Sequence, residues 1–202
     1  MSESLKIVIL GEGRVGKTSI LKRYIQNQFS DDEKSTVNVG NLQKEVTYNG
    51  NKVIMSFWDT AGQEIFNALN TIYYQGAVGA LILYDISKIE TFEKVKKWIN
   101  ELHENVGKDI ILVIAGNKFD IIKKKEELNS NEQQVKEYIK QFKCQHFFTS
   151  AKSGYNVNET FQSLINSVLD KVKPGVGPSK KKGINIVDDS KIKKKKVVVA
   201  NF

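Results

Sequence analysis

Residues 5–18 read LKIVILGEGRVGKT, and this stretch decides the fold because it joins a strand-like apolar run to a glycine-rich loop. The loop fits the pattern G-x-x-x-x-G-K-[ST], in which backbone N–H groups turn toward the phosphates of a nucleotide. Lys17 then reaches the β- and γ-phosphates, the Thr18 hydroxyl reaches Mg²⁺, and the next helix directs its positive end at the same phosphates. The residues predicted to hold the phosphates are Gly13, Val15, Gly16, Lys17, Thr18 and Ser19.

Length and composition limit the number of domains and the class of protein. The chain has 202 residues, 40% of them hydrophobic, which is enough for one domain with a core and additional segments. Its one cysteine, Cys144, excludes a disulfide framework within the chain and is expected to be a small, partly buried apolar residue. The first four residues lack the features of a signal peptide. The apolar stretches 77–84 and 110–115 are far shorter than the ~20 residues of a spanning helix, so a soluble protein is expected.

Short apolar runs alternate with helix-length amphipathic stretches along the chain. Continuous apolar runs are typical of strands buried on both faces of a parallel sheet, and residues 49–51, Asn-Gly-Asn, are typical of a hairpin turn. This alternation predicts an α/β fold with a six-stranded, mostly parallel sheet, one antiparallel edge strand and helices on both faces. The predicted strands are 5–10, 43–48, 52–58, 80–84, 110–115 and 147–148, and the predicted helices are 17–26, 67–75, 91–105, 131–142 and 157–172.

Polar segments follow the predicted strands, at the sheet edge where ligands bind in such folds. Residues 58–64 read WDTAGQE after the third strand, 117–120 read NKFD after the fifth, and 150–152 read SAK after the sixth. Thr36 lies in the polar loop after the first helix. Together with the phosphate loop, these segments resemble in content and order those of the Ras-superfamily small GTPases, over roughly residues 5–172.

Two further segments narrow the resemblance. Residues 73–77 (YYQGA) and 83–87 (LYDIS) are similar to motifs of the Rab branch, with the endosomal Rabs most similar. The resemblance implies a P-loop NTPase of the small GTPase type, and we expect this GTPase domain over residues 1–173. The sequence PGVGPS then interrupts the last helix and opens a flexible, Lys-rich tail over 174–202.

The segments after the fifth and sixth strands suit a guanine base. The Asp120 carboxylate offers two acceptors for the N1–H and 2-amino donors of guanine, a pair of donors that adenine lacks. Asn117 can bond the base or tie loops together, and the stem of Lys118 can lie along the base. The alternative for Asn117 and Asp120 is an ordinary turn at a strand end. The resemblance implies that the Ala151 N–H bonds guanine O6 and that an aromatic ring lies against the base. The residues it adds on the base side are Phe29, Ser150, Ala151 and Lys152.

The resemblance also implies the metal site and the chemistry. Asp59 matches the carboxylate that holds Mg²⁺, usually through water, and Thr18 and Thr36 supply protein oxygens to the metal. The Gly62 N–H contacts the γ-phosphate, and Gln63 orients the attacking water. Because Thr36 and Gly62 contact only the triphosphate state, their loops tighten with GTP and loosen with GDP, which makes the chain a switch. The implied catalytic residues are Gln63, Lys17 and Gly62.

Arg14 is unusual within the phosphate loop, where small residues are common in the family. Intrinsic hydrolysis in this class is slow until an arginine finger arrives in trans. A long cation at position 14 could approach the γ-phosphate as a partial internal finger, or the side chain could lean away into solvent. The sequence leaves both alternatives open.

One departure from the Rab pattern concerns the surface that binds effectors. Rabs usually carry an aromatic trio there, and Trp58 and Tyr73 match two of its members. The third position is occupied by Asn41. Effector identity therefore does not follow from the sequence, and ordinary packing is the alternative for the two aromatic residues.

A second departure concerns the tail. From residue 174 onward the chain carries eight Lys and two Asp, so that +6 of the net charge of +8 lies there. The basic character is thus mostly a property of the tail and not of a nucleic-acid-binding core. Rabs usually end in prenylated cysteines, whereas no cysteine follows Cys144, so a prenyl anchor is not expected at this C-terminus. The open alternatives are a truncated or alternative end, a Rab without lipid, weak attraction to anionic membrane at ~1 kcal/mol per Lys, a solvated disordered tail, and a nuclear-localisation signal.

Three functions remain compatible with the sequence. The main one is a switch that cycles between GTP and GDP and recruits effectors in vesicle traffic, served by an exchange factor and a GTPase-activating protein. The second is a scaffold that holds guanine nucleotide and hardly cycles. The third, an ATP-using enzyme such as a small kinase, would need an Arg-rich lid, yet the only two Arg are Arg14 and Arg23. We expect a monomer without nucleic-acid partners, in the cytoplasm and peripheral on endosomal or Golgi-derived membranes.

Overall fold

The described part of the chain is built around one six-stranded sheet. A computed structural model describes residues 4–32, 40–60, 73–122, 135, 137, 139–142 and 144–172. The strands are β1 (Ser4–Gly11), β2 (Gly40–Tyr48), β3 (Asn51–Asp59), β4 (Ala77–Asp85), β5 (Ile111–Asn117) and β6 (Gln145–Phe148). The helices are α1 (Lys17–Gln26), α2 (Ile89–Glu93), α3 (Val95–Asn105) and α4 (Val157–Lys171), and a 3₁₀ turn, Phe119–Ile121, follows β5.

The strand order is β2-β3-β1-β4-β5-β6. β2 and β3 are antiparallel, and every other neighbouring pair is parallel. The predicted α/β architecture with one antiparallel edge strand is therefore confirmed. Since β1, β3, β4 and β5 run in the same direction, the segments that follow them meet at one edge of the sheet.

The turn between β2 and β3 confirms the hairpin prediction. Tyr48 pairs with Asn51, which leaves a two-residue loop of Asn49 and Gly50. Both loop residues have positive φ, 48° and 78°. This is the type I′ geometry that Asn-Gly favours, because its twist matches that of the flanking strands.

Two apolar layers cover the two faces of the sheet. Along β1, Ile7 and Ile9 join the layer that packs against α1 and α4, whereas Val8 and Leu10 join the layer that packs against α2 and α3. The alternation follows from the period of two in a strand. It confirms helices on both faces. The stripe expected on α4 is buried as predicted at Val157, Phe161, Leu164, Ile165, Val168 and Leu169.

One helix differs from its prediction. The expected helix over 91–105 is divided into α2 and α3 at Lys94, because the Lys94 N–H bonds the carbonyl of Phe92 and so interrupts the regular ladder. Residues 67–72 of the predicted helix 67–75, half of the predicted helix 131–142 and the whole tail from 174 lie outside the described residues. Cys144 is half-buried as expected, and burial raises the pKa of its thiol to about 11. Among the helices in the described ranges, none has both the length and the apolar character needed to cross a membrane.

Candidate nucleotide-binding site

The phosphate loop connects the end of β1 to the start of α1. Gly16 caps the helix with φ 94°, and a Cβ added there would lie 2.4 Å from Asn117 Nδ2, so the position requires glycine. As the cap, Gly16 has no side chain to occupy the first N–H groups of α1, and this described helix has no acidic residue in its first turn. The helix start is therefore suited to an anion.

Lys17 is a buried cation inside this loop, with only 6% of its surface exposed. Its Nζ donates to the carbonyl oxygens of Gly11 and Glu12, each at 2.9 Å. Burial lowers the pKa of Lys17 to about 8, against the opposing effect of the negative charges on Asp59 and Glu12. The ammonium is thus held where it lacks full solvation, and an anionic ligand would stabilise its charged form.

Asp59 and Thr18 bring two oxygens together beside Lys17. Asp59 ends β3 beside Ile9 of β1, and the Thr18 hydroxyl donates to its Oδ2 at 2.6 Å. Only 4% of the Asp59 surface is exposed. A carboxylate and a hydroxyl are hard oxygen donors of the kind that Mg²⁺ binds with few protein ligands, so these residues fit the metal predicted here.

Asn117 links the phosphate loop to the base segments. Its Nδ2 donates to the Val15 carbonyl at 2.9 Å, and its Oδ1 accepts the Ala151 N–H at 3.1 Å. The Thr149 hydroxyl lies 3.5 Å from the same oxygen. Of the two uses considered for Asn117, the structure shows the tying of loops. The segments after β1, β5 and β6 therefore meet at one buried amide.

Asp120 and Ser150 are also brought together. The Ser150 hydroxyl donates to Asp120 Oδ1 at 2.5 Å and accepts the Ser153 N–H at 3.0 Å. Asp120 itself is exposed, in the 3₁₀ turn after β5. Its carboxylate is therefore anchored at one oxygen and accessible to a ligand.

Lys118 contacts a residue that sequence analysis did not select. Its Nζ lies 2.6 Å from Oδ2 of the buried Asp85, at the end of β4. Burial alone would raise the pKa of Asp85, but hydrogen bonds from Lys118 and Ser87 outweigh it and hold that pKa below its usual value. Asp85 comes directly after the apolar run predicted as a strand over 80–84, and this position at a strand end is the signal that could have identified it.

Phe29 is half-buried near two cations. The Arg23 guanidinium carbon lies 6.0 Å from the ring centroid and Lys152 Nζ lies 5.9 Å from it. Lys152 also pairs with Asp31 at 3.1 Å. The segment that contains Phe29 is thus beside residues 150–152. Arg23 was missed because no motif marks it.

The phosphate loop has two further charged contacts. Glu12 Oε2 lies 2.6 Å from Nζ of Lys94, at the break between α2 and α3, and the Gly13 N–H donates to Glu12 Oε1 at 3.4 Å. Arg14 is exposed and has a left-handed backbone, φ 63°. The described structure therefore leaves both alternatives for Arg14 open. Three predicted site residues lie outside the described ranges: Thr36, Gly62 and Gln63.

Asn41 lies beside Trp58 on the β2–β3 hairpin. The two residues face each other across β2 and β3, and the rings of Trp58 and Tyr73 are 6.5 Å apart. The Trp58 indole N–H donates to Ser56 Oγ at 3.2 Å, and the Ser56 hydroxyl donates to Asn41 Oδ1 at 2.9 Å. Ser56 thus links the Trp58 indole to the Asn41 side chain.

Comparison with known proteins indicates the same family as the motifs do, that of the Ras-related small GTPases. The sequence matches the Ras family over residues 6–170. It is 38% identical over 195 residues to Ras-related protein Rab-21 of Homo sapiens, which covers 92% of this chain and 85% of that protein. It is 42% identical over 167 residues to Rab-21 of Dictyostelium discoideum, covering 83% and 77% of the two chains. With the GTP-binding protein YPT53 of Saccharomyces cerevisiae it shares 37% identity over 170 residues, 82% and 76% of the two chains.

Proposed function

The chain belongs to the Ras family and is a Rab small GTPase similar to the endosomal Rabs, and from this premise we propose that it is a GTP-dependent switch in endosomal membrane traffic. Ras-family proteins bind guanine nucleotides, generally with Mg²⁺, and have GTPase activity. The observation that carries the proposal is the meeting of three segments at Asn117, which joins the phosphate loop to both base segments.

The proposed roles follow the chemistry of the side chains. Lys17 neutralises charge on the β- and γ-phosphates, and Thr18, Asp59 and Thr36 hold Mg²⁺, which supplies charge neutralisation at the phosphates. Gln63 orients the attacking water, and the Gly62 N–H contacts the γ-phosphate. The remaining phosphate contacts come from backbone N–H groups of Gly13, Val15, Gly16 and Ser19.

On the base side, we assign guanine recognition to Asp120 and to the Ala151 N–H. One observation supports the assignment of Asp120, which is exposed and anchored by Ser150. The Ala151 N–H donates to Asn117 Oδ1 at 3.1 Å, so guanine O6 would share this donor with the Asn117 oxygen in a bifurcated hydrogen bond. Lys118 lies along the base and Phe29 against it, with Lys152 beside Phe29. The acceptor pair on Asp120 selects guanine over adenine.

Rab proteins interact in general with exchange factors, activating proteins and effectors, and we propose all three for this chain. Hydrolysis is slow alone and is stimulated when an activating protein supplies a cation to the transition state. The effectors recognise the triphosphate state through the segments that contain Thr36 and Gly62. The chain acts as a monomer at endosomal or Golgi-derived membranes, where Lys residues of the 174–202 tail add attraction to anionic lipid.

Turnover by the purified protein tests the proposal. The bound nucleotide is identified after purification, and GTP hydrolysis is then measured with Mg²⁺, with ATP as competitor. We expect bound guanine nucleotide, slow hydrolysis, no competition by ATP, and loss of hydrolysis in Gln63→Leu with nucleotide binding retained. Guanine binding without hydrolysis, even with activating proteins added, would instead support a scaffold that does not cycle. Preference for adenine would refute the proposal altogether.

A GTP hydrolysis assay also tests the role of Arg14. Single-turnover GTP hydrolysis is compared between the native chain and Arg14→Ala. A slower variant would show that the cation contributes to catalysis as an internal finger. An unchanged rate would show that the exposed Arg14 side chain does not contribute to hydrolysis.

A further inference from the structure

Arg23 connects the two segments that flank the base side of the site. It lies on α1, on the turn that follows the phosphate-contacting start of the helix. Its Nε donates to the Ala151 carbonyl at 2.8 Å, and its Nη2 donates to the Lys152 carbonyl at 2.7 Å. One planar guanidinium thus binds two consecutive carbonyls of the 150–152 segment, which lies 128 residues away in sequence.

The same side chain also fixes the segment that leaves α1. Its Nη1 donates to the Asn27 carbonyl at 3.1 Å and to Asn27 Oδ1 at 3.2 Å. Asn27 ends the helix in a left-handed conformation, and its N–H returns to the Arg23 carbonyl at 3.0 Å. Phe29 lies two residues after Asn27. The contact between Arg23 and Asn27 therefore fixes the start of the segment that places the Phe29 ring against the base.

These bonds place the Ala151 backbone between two anchors. Asn117 Oδ1 accepts the Ala151 N–H from one side, and Arg23 holds the Ala151 carbonyl from the other. Only a guanidinium suits this geometry, because it presents donors in a fixed fork, whereas a Lys ammonium is a compact point charge on a flexible stem.

We propose that Arg23 is a positioning residue for the nucleotide base: it sets the separation between the 150–152 segment and the Phe29 segment, and thereby slows nucleotide release. The inference rests on the proposed function, because it requires guanine nucleotide in this site. Arg23 acts through Ala151 and Asn27 and does not itself contact the ligand. Its loss leaves three backbone carbonyls, those of Ala151, Lys152 and Asn27, without their charged donor and lets the segments separate.

The first test measures GDP release from the full chain after a chase with excess unlabelled GDP. We expect Arg23→Ala to release GDP roughly ten- to a hundredfold faster, because several charge-assisted hydrogen bonds are lost together. Arg23→Lys is expected to restore only part of the slow GDP release. Arg23→Gln replaces Arg23→Ala in the assay if the alanine variant is insoluble. Lys96→Ala, which removes an exposed cation from α3, is the matched control and should release GDP at the native rate.

A second readout separates positioning from general destabilisation. Replacing guanine O6 with sulfur, in 6-thio-GDP, changes the atom opposite the Ala151 N–H, whereas inosine diphosphate removes the 2-amino group opposite Asp120. We expect Arg23→Ala to reduce the discrimination against 6-thio-GDP while keeping that against inosine diphosphate. The factor by which EDTA accelerates release should stay unchanged, since the metal side is intact.

The outcomes distinguish the inference from the proposed function. If the native chain binds no GDP, the proposed function fails. If the native chain holds GDP but the Arg23 variants release it at the native rate, only the positioning role is overturned. Faster release with equal loss of both kinds of base discrimination, or with an altered response to EDTA, would also overturn it in favour of a purely structural role.

Discussion

The two ends of the candidate site are held together by different forces. At the base end, neutral amides and one guanidinium bond the backbone, as at Asn117 and Arg23, and each loop is tied to a distant part of the chain. At the phosphate end, the charges of Lys17 and Asp59 are themselves buried. The base end therefore has its hydrogen bonds in place before a ligand binds. The phosphate end instead holds buried charges that a nucleotide and a metal ion would neutralise.

The largest effect is expected from removing the buried cation of the phosphate end. Lys17→Ala should weaken GDP affinity by at least about a hundredfold, because a buried partner of the phosphates is lost. Titration of a fluorescent GDP analogue would measure the affinity, and circular dichroism would check that the variant is folded. Native affinity in this variant would contradict the comparison, since the phosphate end would then not depend on its charge.

Asn117→Ala tests the junction between the two ends. The Val15 carbonyl and the Ala151 N–H lose their partner, at ~1–3 kcal/mol for each buried group left unpaired. We expect GDP release to become roughly thirtyfold faster, with both the EDTA response and the base discrimination affected. Asn105→Ala, at an exposed helical asparagine, is the control and should behave as the native chain. An effect confined to one end would show that the amide does not couple them.

The phosphate end should also respond to pH. The pKa of Lys17 is lowered to about 8 by burial, and bound phosphates favour its charged form. Nucleotide binding then takes up a proton above pH 8, and GDP affinity should fall by up to about tenfold per pH unit there. The stability of the nucleotide-free protein should change in the opposite direction, rising between about 8 and the ordinary Lys value of 10.5, because the unfolded chain binds the extra proton.

Isothermal titration in buffers of different ionisation enthalpy would detect this proton uptake. Binding at a pH near 9 should take up close to one proton more than binding near pH 7 does. Equal proton uptake at both values would mean that Lys17 is fully charged before the nucleotide binds.

The smallest effect is expected at the exposed edge of the base end. Lys152 and Asp31 form an ion pair with side chains 55% and 72% exposed. Solvent screens such pairs, so Asp31→Ala should change GDP release by less than about twofold. A change as large as that of the Arg23 variants would show that the base end depends on an exposed ion pair as much as on the Arg23 bonds to the backbone, and it would contradict the comparison.

Much of the fold could be predicted because local patterns determine it. The bounds of α1 were predicted as 17–26 and are observed as Lys17–Gln26, since the glycine before Lys17 and the apolar stripe after it are both local signals. β2 was predicted from 43 but begins at Gly40, because its first residues are exposed and carry no apolar run. These additional residues gain strand pairing with β3, a tertiary contact that no local pattern shows.

In the candidate site, too, some residues could be predicted from local patterns and others could not. Asn117 and Asp59 were identified because the polar segments after the predicted strands resemble those of the small GTPases. Arg23 was not, because its partners Ala151 and Lys152 lie more than a hundred residues away and the position within α1 does not distinguish it from an ordinary surface cation. The break at Lys94 was also missed, since its cause is a single backbone bond to Phe92.

The position of β1 at the middle of the sheet has a consequence for synthesis on the ribosome. β1 emerges first, yet its neighbours β3 and β4 begin at Asn51 and Ala77, so its apolar residues await partners made seconds later at ~5–20 residues per second. The base end is completed only when residue 152 has emerged. A nascent chain stopped before that point holds the phosphate loop and Asp120 without the Ala151 and Lys152 backbone, so the proposed guanine nucleotide can stabilise the complete site only after residue 152 has emerged.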